Sequence, residues 1–171
     1  EAAVSMTQLD KLHSLQAHRS MLANYMNAEL GKIPGLITPT AKPDCDHTYY
    51  RYALRIDPTI VPVGASTIVD ALNAEGLDWY AGYKPLNLFP VYQQQLAFGE
   101  KGCPFKCPWY EGNPDYSLDG MPNVVHHMKY SLSTENVRPP LLIEDMKLMV
   151  EGFNRVFENM AELFDYERAN R

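Results

Sequence analysis

The sequence concentrates aromatic and polar side chains in residues 78–92, which read DWYAGYKPLNLFPVY. Tyr83 lies two residues before Pro85, and Asn87 lies between Pro85 and Pro90. A residue directly before a proline is kept away from helical angles. The prolines also exclude a long helix or an unbroken central strand. The stretch therefore predicts a stiff, extended loop. Such a loop forms either a wall for a polar, ring-shaped ligand or a tyrosine-rich cover on the core.

A second concentration of aromatic and polar residues alternates along residues 48–56, and this period of two predicts a β-strand. His47 stands at the entrance of this strand. One face of the predicted strand packs on a helix layer and contains Tyr50, Tyr52, Leu54 and Ile56, and the other contains Tyr49, Arg51, Ala53 and Arg55. If the strand and the 78–92 loop are adjacent, they form half of a cleft that has no evident nucleophile or general base.

The sequence contains no self-contained catalytic motif. It has no dinucleotide or phosphate-binding glycine loop, no nucleophile elbow and no paired-histidine zinc helix. A small metal site built on Cys103, Cys107 and His126 is one alternative. However, the Cys-x3-Cys spacing is irregular for zinc, so we expect no bound metal.

The composition excludes several classes of protein. The chain has 171 residues, enough for one domain with its own core, and a formal net charge of −6 with no basic run. This charge argues against nucleic acid and against an anionic membrane surface as partners. No apolar run approaches the ~20 residues of a membrane span. The odd count of three cysteines predicts no complete disulfide framework, which favours a reducing, cytoplasmic setting.

The apolar periodicity predicts three helices: residues 2–30, 66–75 and about 141–164. The first is ~43 Å long at 1.5 Å per residue and begins without a capping residue. It is either a strut that continues from a preceding domain or a long edge helix. It also has apolar residues on more than one face, so we expect part of it to remain uncovered.

Two further strands are predicted, at residues 77–80 and 123–130, and His126 and His127 would face opposite sides of the second one. Together these elements predict a two-layer α/β domain of the α+β kind. Its small, mainly antiparallel sheet is covered on one side by the first, second and last helices.

Five motifs, in order, resemble those of a known family. They are EAAVSMTQLDKL at 1–12, HTYYRYALR at 47–55, GYKPLNLFPVY at 82–92, Cys107-Pro108, and IEDMKLMVE at 143–151. The chain is similar over nearly its whole length to the C-terminal domain of the DegT and StrS sugar aminotransferases. These are pyridoxal-phosphate enzymes of the fold-type I class.

The resemblance implies that residues 1–31 link to an N-terminal cofactor domain and that residues 32–171 form the small C-terminal domain. In this family a lysine of the N-terminal domain holds the cofactor as a Schiff base. No lysine here lies in the family's Ser-Phe-x-x-x-Lys context. We therefore expect no catalytic residue, and no pyridoxal phosphate bound, in this chain alone.

By the same resemblance, Tyr50, Tyr83, Asn87 and His47 are substrate-binding residues for a keto-sugar, nucleotide-linked in many relatives, or for a keto-cyclitol. Tyr50 stands where relatives usually have His, and Asn87 where many have His or Tyr. An amino-acid donor and a homo-oligomeric parent are also implied. The competing hypothesis is a ligand-binding or regulatory module that has the same fold and no chemistry.

Overall fold

A computed structural model describes residues 1–96, 98–99, 102–106 and 108–170. The chain divides into two compact units, of which the first comprises residues 1–82 with 129–171 and the second residues 83–128. In chain order the elements are α1 (Ala2–Leu30), β1 (Leu36–Ile37), β2 (Tyr52–Ile56), α2 (Ala65–Ala74), β3 (Tyr80–Ala81), a 3-10 turn (Leu86–Leu88), α3 (Pro90–Gln93), α4 (Pro122–Tyr130), β4 (Ser131–Thr134), α5 (Ile143–Glu158) and α6 (Met160–Ala169).

The four strands form one antiparallel sheet in the order β1-β2-β4-β3. Leu54 pairs with Leu132 in the register of β2 and β4, and both side chains are buried, at 0% and 1% exposure. The adjacent pair of the same two strands, Ala53 and Ser133, faces the opposite side of the sheet. The predicted small, mainly antiparallel sheet packed against helices is confirmed, and the fold is of the α+β class.

The core of the first unit lies between this sheet and the helices α1, α2 and α5. Trp79 is its largest fully buried side chain. Its ring makes edge-to-face contacts with Phe153 at 4.9 Å and with Tyr52 at 6.3 Å between centroids. Such aromatic pairs add specific geometry to the burial of apolar area.

Helix α1 has the predicted bounds, but its exposed apolar surface is divided along its length rather than between two faces. The C-terminal part buries Leu22, Met26 and Leu30 completely and packs against α5. Every residue from 1 to 15 is exposed. The large apolar side chains exposed in this part are Val4, Met6, Leu9, Leu12 and Leu15.

The predicted strand at residues 48–56 is wrong in its first four residues, because β2 begins at Tyr52. Tyr49 adopts a left-handed backbone conformation, with φ of 48°, and this reverses the alternation that the sequence predicts. Tyr49 is therefore buried, whereas Tyr50 is 75% exposed instead of packing on the helix layer.

The predicted strand at residues 123–130 is also wrong, since Pro122–Tyr130 is helix α4 and the strand β4 follows it. Pro122 opens the helix, where its missing N–H costs nothing. The neighbouring His126 and His127 consequently lie about 100° apart around a helix axis rather than on opposite faces of a strand.

Two further predictions need smaller corrections. The strand predicted at residues 77–80 is shifted to Tyr80–Ala81, and α2 begins after Gly64 without a side-chain cap from Ser66.

The predicted last helix consists of two helices, α5 and α6, which meet at Asn159. Asn159 donates a side-chain hydrogen bond to the Arg155 carbonyl at 2.8 Å, in competition with the helix ladder. Beyond this break, the buried Glu167 carboxylate accepts hydrogen bonds from Gly64 N and from the Thr67 hydroxyl, each at 3.1 Å. Glu167 of α6 thereby satisfies donors at the N-terminus of α2.

No helix of the described residues has both the length and the apolar character needed to cross a membrane. Within the same residues, no group of three or more potential ligands is placed to hold a metal ion. Cys107, one of the ligands of the zinc alternative, lies outside the described residues.

Asn27 provides a test of how α1 is joined to β2. We expect Asn27→Ala to lower the free energy of unfolding by about 2 kcal/mol, because it leaves the buried Tyr52 hydroxyl without its acceptor. Asn24→Ala, an exposed position on the same helix, should change it by less than about 0.5 kcal/mol. Urea unfolding measures both. Equal losses in the two variants would show that the Asn27 bond contributes nothing specific.

Candidate functional site

A cleft of about 440 Å³ lies between α1 and the loop of residues 41–49, within the first unit. Gln16, Ser20 and Asn24 line it from the helix. Their four-residue spacing places them on one face of α1. The loop contributes Ala41, Cys45, Asp46, His47, Thr48 and Tyr49. Most of these side chains are amides, hydroxyls and an imidazole, and the Asp46 carboxylate adds an acceptor, so the cleft suits a ligand that has many hydroxyl groups.

His47 is fixed by its own backbone neighbourhood. Its Nδ1 accepts a hydrogen bond from Tyr49 N at 2.8 Å, and its ring lies 4.2 Å from the Tyr49 ring. The His47 carbonyl accepts from Gln16 Nε2 at 3.4 Å. Because Nδ1 is an acceptor, the neutral imidazole carries its hydrogen on Nε2. His47 therefore presents an N–H donor from an oriented ring beside the cleft.

The wall behind His47 is a hydrogen-bonded junction of Asn27, Tyr49 and Tyr52. The Tyr52 hydroxyl donates to Asn27 Oδ1 at 2.8 Å, and Asn27 Nδ2 donates to the Tyr49 hydroxyl at 3.3 Å. Burial raises the pKa of Tyr52 well above its usual value, with the neighbouring Tyr49 as a smaller cause. Tyr52 is consequently a neutral donor, and the junction holds the loop against α1.

Tyr50 does not line this cleft, although it lies only three residues from His47. It stands before β2 and is 75% exposed, so its hydroxyl is accessible from solvent. His47 and Tyr50, the two predicted site residues of the first unit, thus lie on the same short segment. His47 lines the cleft, and Tyr50 lies on the surface.

The solvent-facing side of the sheet contains a second polar cluster, around Arg51. Its guanidinium forms a salt bridge with Glu135 at 2.7 Å and donates to the Ser133 hydroxyl at 3.2 Å. It also lies 5.7 Å from the centre of the Tyr80 ring. The Asp78 carboxylate, hydrogen-bonded to Tyr80, raises the pKa of that phenol. The cluster shows that Arg51 is committed to protein groups.

In the second unit, Tyr83 is 65% exposed, whereas Asn87 is part-buried and engaged. Asn87 Nδ2 donates to the carbonyls of Tyr116 and Ser117, at 3.2 and 2.9 Å. Gln93 Nε2 in turn donates to the Asn87 carbonyl at 2.7 Å. The amide of Asn87 therefore connects the 3-10 turn to the segment around Ser117, and both of its N–H groups are used within the unit.

An aromatic cluster supports this loop. Tyr92, Phe105 and Tyr116 contact one another at centroid distances between 5.3 and 6.3 Å. Next to Tyr116, the hydroxyl and backbone N–H of Ser117 hydrogen-bond the Asp115 carboxylate and lower its pKa. The prediction of an extended loop over residues 78–92 is wrong in part, because the 3-10 turn and α3 lie within it and Pro90 opens α3.

The four predicted site residues belong to different units, His47 and Tyr50 to the first and Tyr83 and Asn87 to the second. Sequence reasoning missed the contribution of Gln16, Ser20 and Asn24. Their polar stripe at i, i+4 and i+8 on an otherwise ordinary helix was the available signal. The apolar residues of α1 predict the helix but not this polar face.

All lysines of the described residues are exposed. An amine that forms a Schiff base with a cofactor is usually enclosed beside polar groups that hold the rest of that cofactor. Neither the cleft at His47 nor the cluster at Arg51 contains a lysine. Neither of these two sites therefore offers an amine that could hold pyridoxal phosphate covalently.

Comparison with known proteins gives a consistent result. The model of the DegT/DnrJ/EryC1/StrS aminotransferase family matches residues 1–112. The spore coat polysaccharide biosynthesis protein SpsC of Bacillus subtilis (strain 168) is 27% identical over 136 residues, covering 75% of this chain and 35% of that protein. The L-glutamine:2-deoxy-scyllo-inosose aminotransferase of Micromonospora echinospora is 30% identical over 167 residues, covering 95% and 38%.

Among solved structures, the PLP-form of Spr1654 from Streptococcus pneumoniae superimposes with a TM-score of 0.69 at 16% identity. The match covers 93% of this chain and 35% of that one. At this identity the likeness shows the fold alone. The chain spans little more than a third of the length of these relatives.

Asn87 provides a test of the second unit. We expect Asn87→Asp to loosen the segment around Ser117, because a carboxylate would face two carbonyl oxygens in place of an N–H donor. Hydrogen exchange of the amides near Ser117 should rise about tenfold. Asn113→Asp, an exposed site of the same unit, adds the same charge and should leave that exchange unchanged. Equal protection in both variants would contradict the role assigned to Asn87.

Proposed function

Because this chain belongs to the DegT/DnrJ/EryC1/StrS aminotransferase family, we propose that it is the C-terminal part of a pyridoxal-phosphate-dependent enzyme. That enzyme would transfer an amino group from an amino-acid donor to a keto-sugar, nucleotide-linked, or to a keto-cyclitol. The relative from Micromonospora echinospora, which is named for a cyclitol reaction, supports the second acceptor class. Spr1654, described in a PLP-form, supports the cofactor.

The observation that carries the proposal for this chain is the cleft at His47. Its volume of about 440 Å³ lies in the range of small-molecule sites, roughly 300–1,000 Å³. Gln16, Ser20 and Asn24 offer neutral donors and acceptors at four-residue intervals. A sugar or cyclitol ring presents hydroxyl groups all round, and such groups pair well with amides and hydroxyls that carry no charge.

The four predicted site residues would act in different ways, namely His47, Tyr50, Tyr83 and Asn87. His47 would donate from Nε2 to a hydroxyl oxygen of the acceptor, and Tyr50 and Tyr83 would offer exposed rings and hydroxyls. Asn87 would serve mainly by ordering the loop that carries Tyr83, since its N–H groups bond to loop carbonyls. None of the four is proposed to take part in the chemical step.

The cofactor, when bound in the whole enzyme, supplies the electron sink that makes transfer of an amino group feasible. We propose that its lysine lies in an N-terminal domain outside this chain, and that the chain alone is inactive. The exposure of every described lysine supports this proposal. So does the limited share of the relatives' length that the chain spans.

We also propose that the whole enzyme is a homo-oligomer and lies in the cytoplasm. The exposed apolar side chains of α1, including Val4, Met6 and Leu9, offer a surface for the N-terminal domain or for a second subunit. The acidic charge of −6 gives no reason to expect nucleic acid as a partner.

The role of His47 is tested in the full-length enzyme with its acceptor. We expect His47→Gln to raise the KM for the keto acceptor about tenfold while the KM for the amino donor stays unchanged, because one ground-state hydrogen bond to the acceptor is lost. Tyr166→Phe, an exposed tyrosine on α6, should change neither constant. A fall in kcat with both KM values unchanged would argue against acceptor binding by His47.

The position of the cofactor lysine is tested with the 171-residue chain itself. Incubation with pyridoxal phosphate, borohydride reduction and peptide mass mapping should give at most scattered, substoichiometric labelling of exposed lysines. Stoichiometric labelling of a single lysine would overturn the proposal that the lysine lies elsewhere. If the full-length protein also bound no cofactor, a binding or regulatory module would replace the enzyme as the proposed function.

A further inference from the structure

A second cavity of about 440 Å³ lies in the first unit, away from His47 in the sequence. It is bounded by the turn between α2 and β3, the segment of residues 136–141 and the first turns of α5. Its lining includes one cationic side chain, Arg138, and two anionic ones, Asp78 and Asp145. Leu77 and Leu148 provide apolar surface between these charges.

Arg138 has little engagement with the protein. The distance from its Nη1 to Glu135 Oε2 is 4.0 Å, which is too long for a hydrogen bond. Within the described residues it makes no hydrogen bond and no closer ion pair. Its guanidinium has five N–H donors in a planar fork that matches a carboxylate. Arg138 is therefore available to bind an anionic group at this cavity.

The two carboxylates, in contrast, are held in place. Asp78 Oδ2 accepts from Asn136 Nδ2 at 3.2 Å, and Asp145 Oδ2 accepts from Leu142 N at 2.7 Å. A carboxylate offers about four acceptor positions, so each retains capacity for a cationic donor. Among the described residues neither forms a salt bridge with Arg138. Opposite charges thus line one cavity without pairing across it.

We propose that this cavity binds an α-amino acid as its zwitterion, with an apolar side chain. The ligand carboxylate would pair with Arg138 and its ammonium with Asp78 or Asp145. One molecule would then give the guanidinium an anionic partner and one carboxylate a cationic partner. Its side chain would lie on Leu77 and Leu148, the latter of which is 60% exposed. The excess of carboxylates in the lining disfavours an acidic amino acid, because a second anionic group would meet Asp78 or Asp145.

This inference does not depend on the proposed function, because it concerns residues 77–78 and 136–149 and requires neither cofactor nor keto acceptor. The cavity volume is sufficient for a small molecule. Its open, partly solvated charges predict weak affinity, with a dissociation constant of roughly 1 mM.

The test is titration of the 171-residue chain with L-leucine, followed by amide chemical shifts. We expect saturable shifts around Leu77 and Arg138. L-leucinamide, which lacks the carboxylate, and the corresponding keto acid, which lacks the ammonium, should each bind at least about tenfold more weakly. L-glutamate should also bind more weakly than L-leucine. Absence of saturable shifts with L-leucine, or equal binding of all four compounds, would overturn the proposal.

Matched variants separate the site from general surface charge. Arg138→Gln should weaken L-leucine binding about tenfold, and so should Asp78→Asn or Asp145→Asn, whichever removes the partner of the ammonium; if neither aspartate variant weakened binding, the proposal would be overturned. Lys147→Gln is the control, because Lys147 is as exposed as Arg138 and also lies 4.0 Å from a glutamate, but does not line the cavity. Thermal melting confirms that each variant is folded. If Lys147→Gln weakened binding as much as Arg138→Gln, the cavity would not be the site.

Discussion

The hydrogen bond between the Tyr52 hydroxyl and Asn27 Oδ1 is the constraint on which the arrangement of the first unit depends. It joins the buried end of α1 to the first residue of β2, and Asn27 then donates onward to Tyr49. Tyr49, whose hydroxyl is held by this bond, has a left-handed backbone conformation. That conformation brings Tyr49 N to His47 Nδ1 and sets the His47 ring at the cleft. Asn27 of α1 is therefore connected to His47 by hydrogen bonds through Tyr49.

The limits of sequence reasoning follow from the same junction. The bounds of α1 were predictable because an apolar repeat without proline or glycine determines a helix locally. The start of β2 was not, because alternation in residues 48–56 is overridden at Tyr49, whose hydroxyl accepts from the distant Asn27 and whose backbone N–H donates to the nearby His47 ring. The prediction of a strand at residues 123–130 was wrong for a different reason. Two adjacent valines favour a strand, yet Pro122 and the side chains of Val124 and Met128, partly buried at helical spacing, belong to a helix.

The candidate site was predictable in part. The resemblance indicated His47, Tyr50, Tyr83 and Asn87, and the first of these lies at a polar cleft. What the sequence did not reveal is how each residue is used locally. Asn87 looks like a ligand contact in a list of residues, but its amide is committed to two loop carbonyls. Conversely, Arg138 is not among the predicted site residues, yet its guanidinium has little protein engagement and lies beside a cavity.

The proposed aminotransferase activity is tested by following isotopically labelled amino nitrogen with the full-length protein that contains this chain. The donor would be labelled L-glutamate or L-glutamine, and the acceptors a set of nucleotide-linked keto-sugars and keto-cyclitols. We expect label in the amino group of one acceptor class, dependent on added pyridoxal phosphate. Label that stays entirely on the donor, with a protein that binds the cofactor and an acceptor, would contradict the assignment as an aminotransferase.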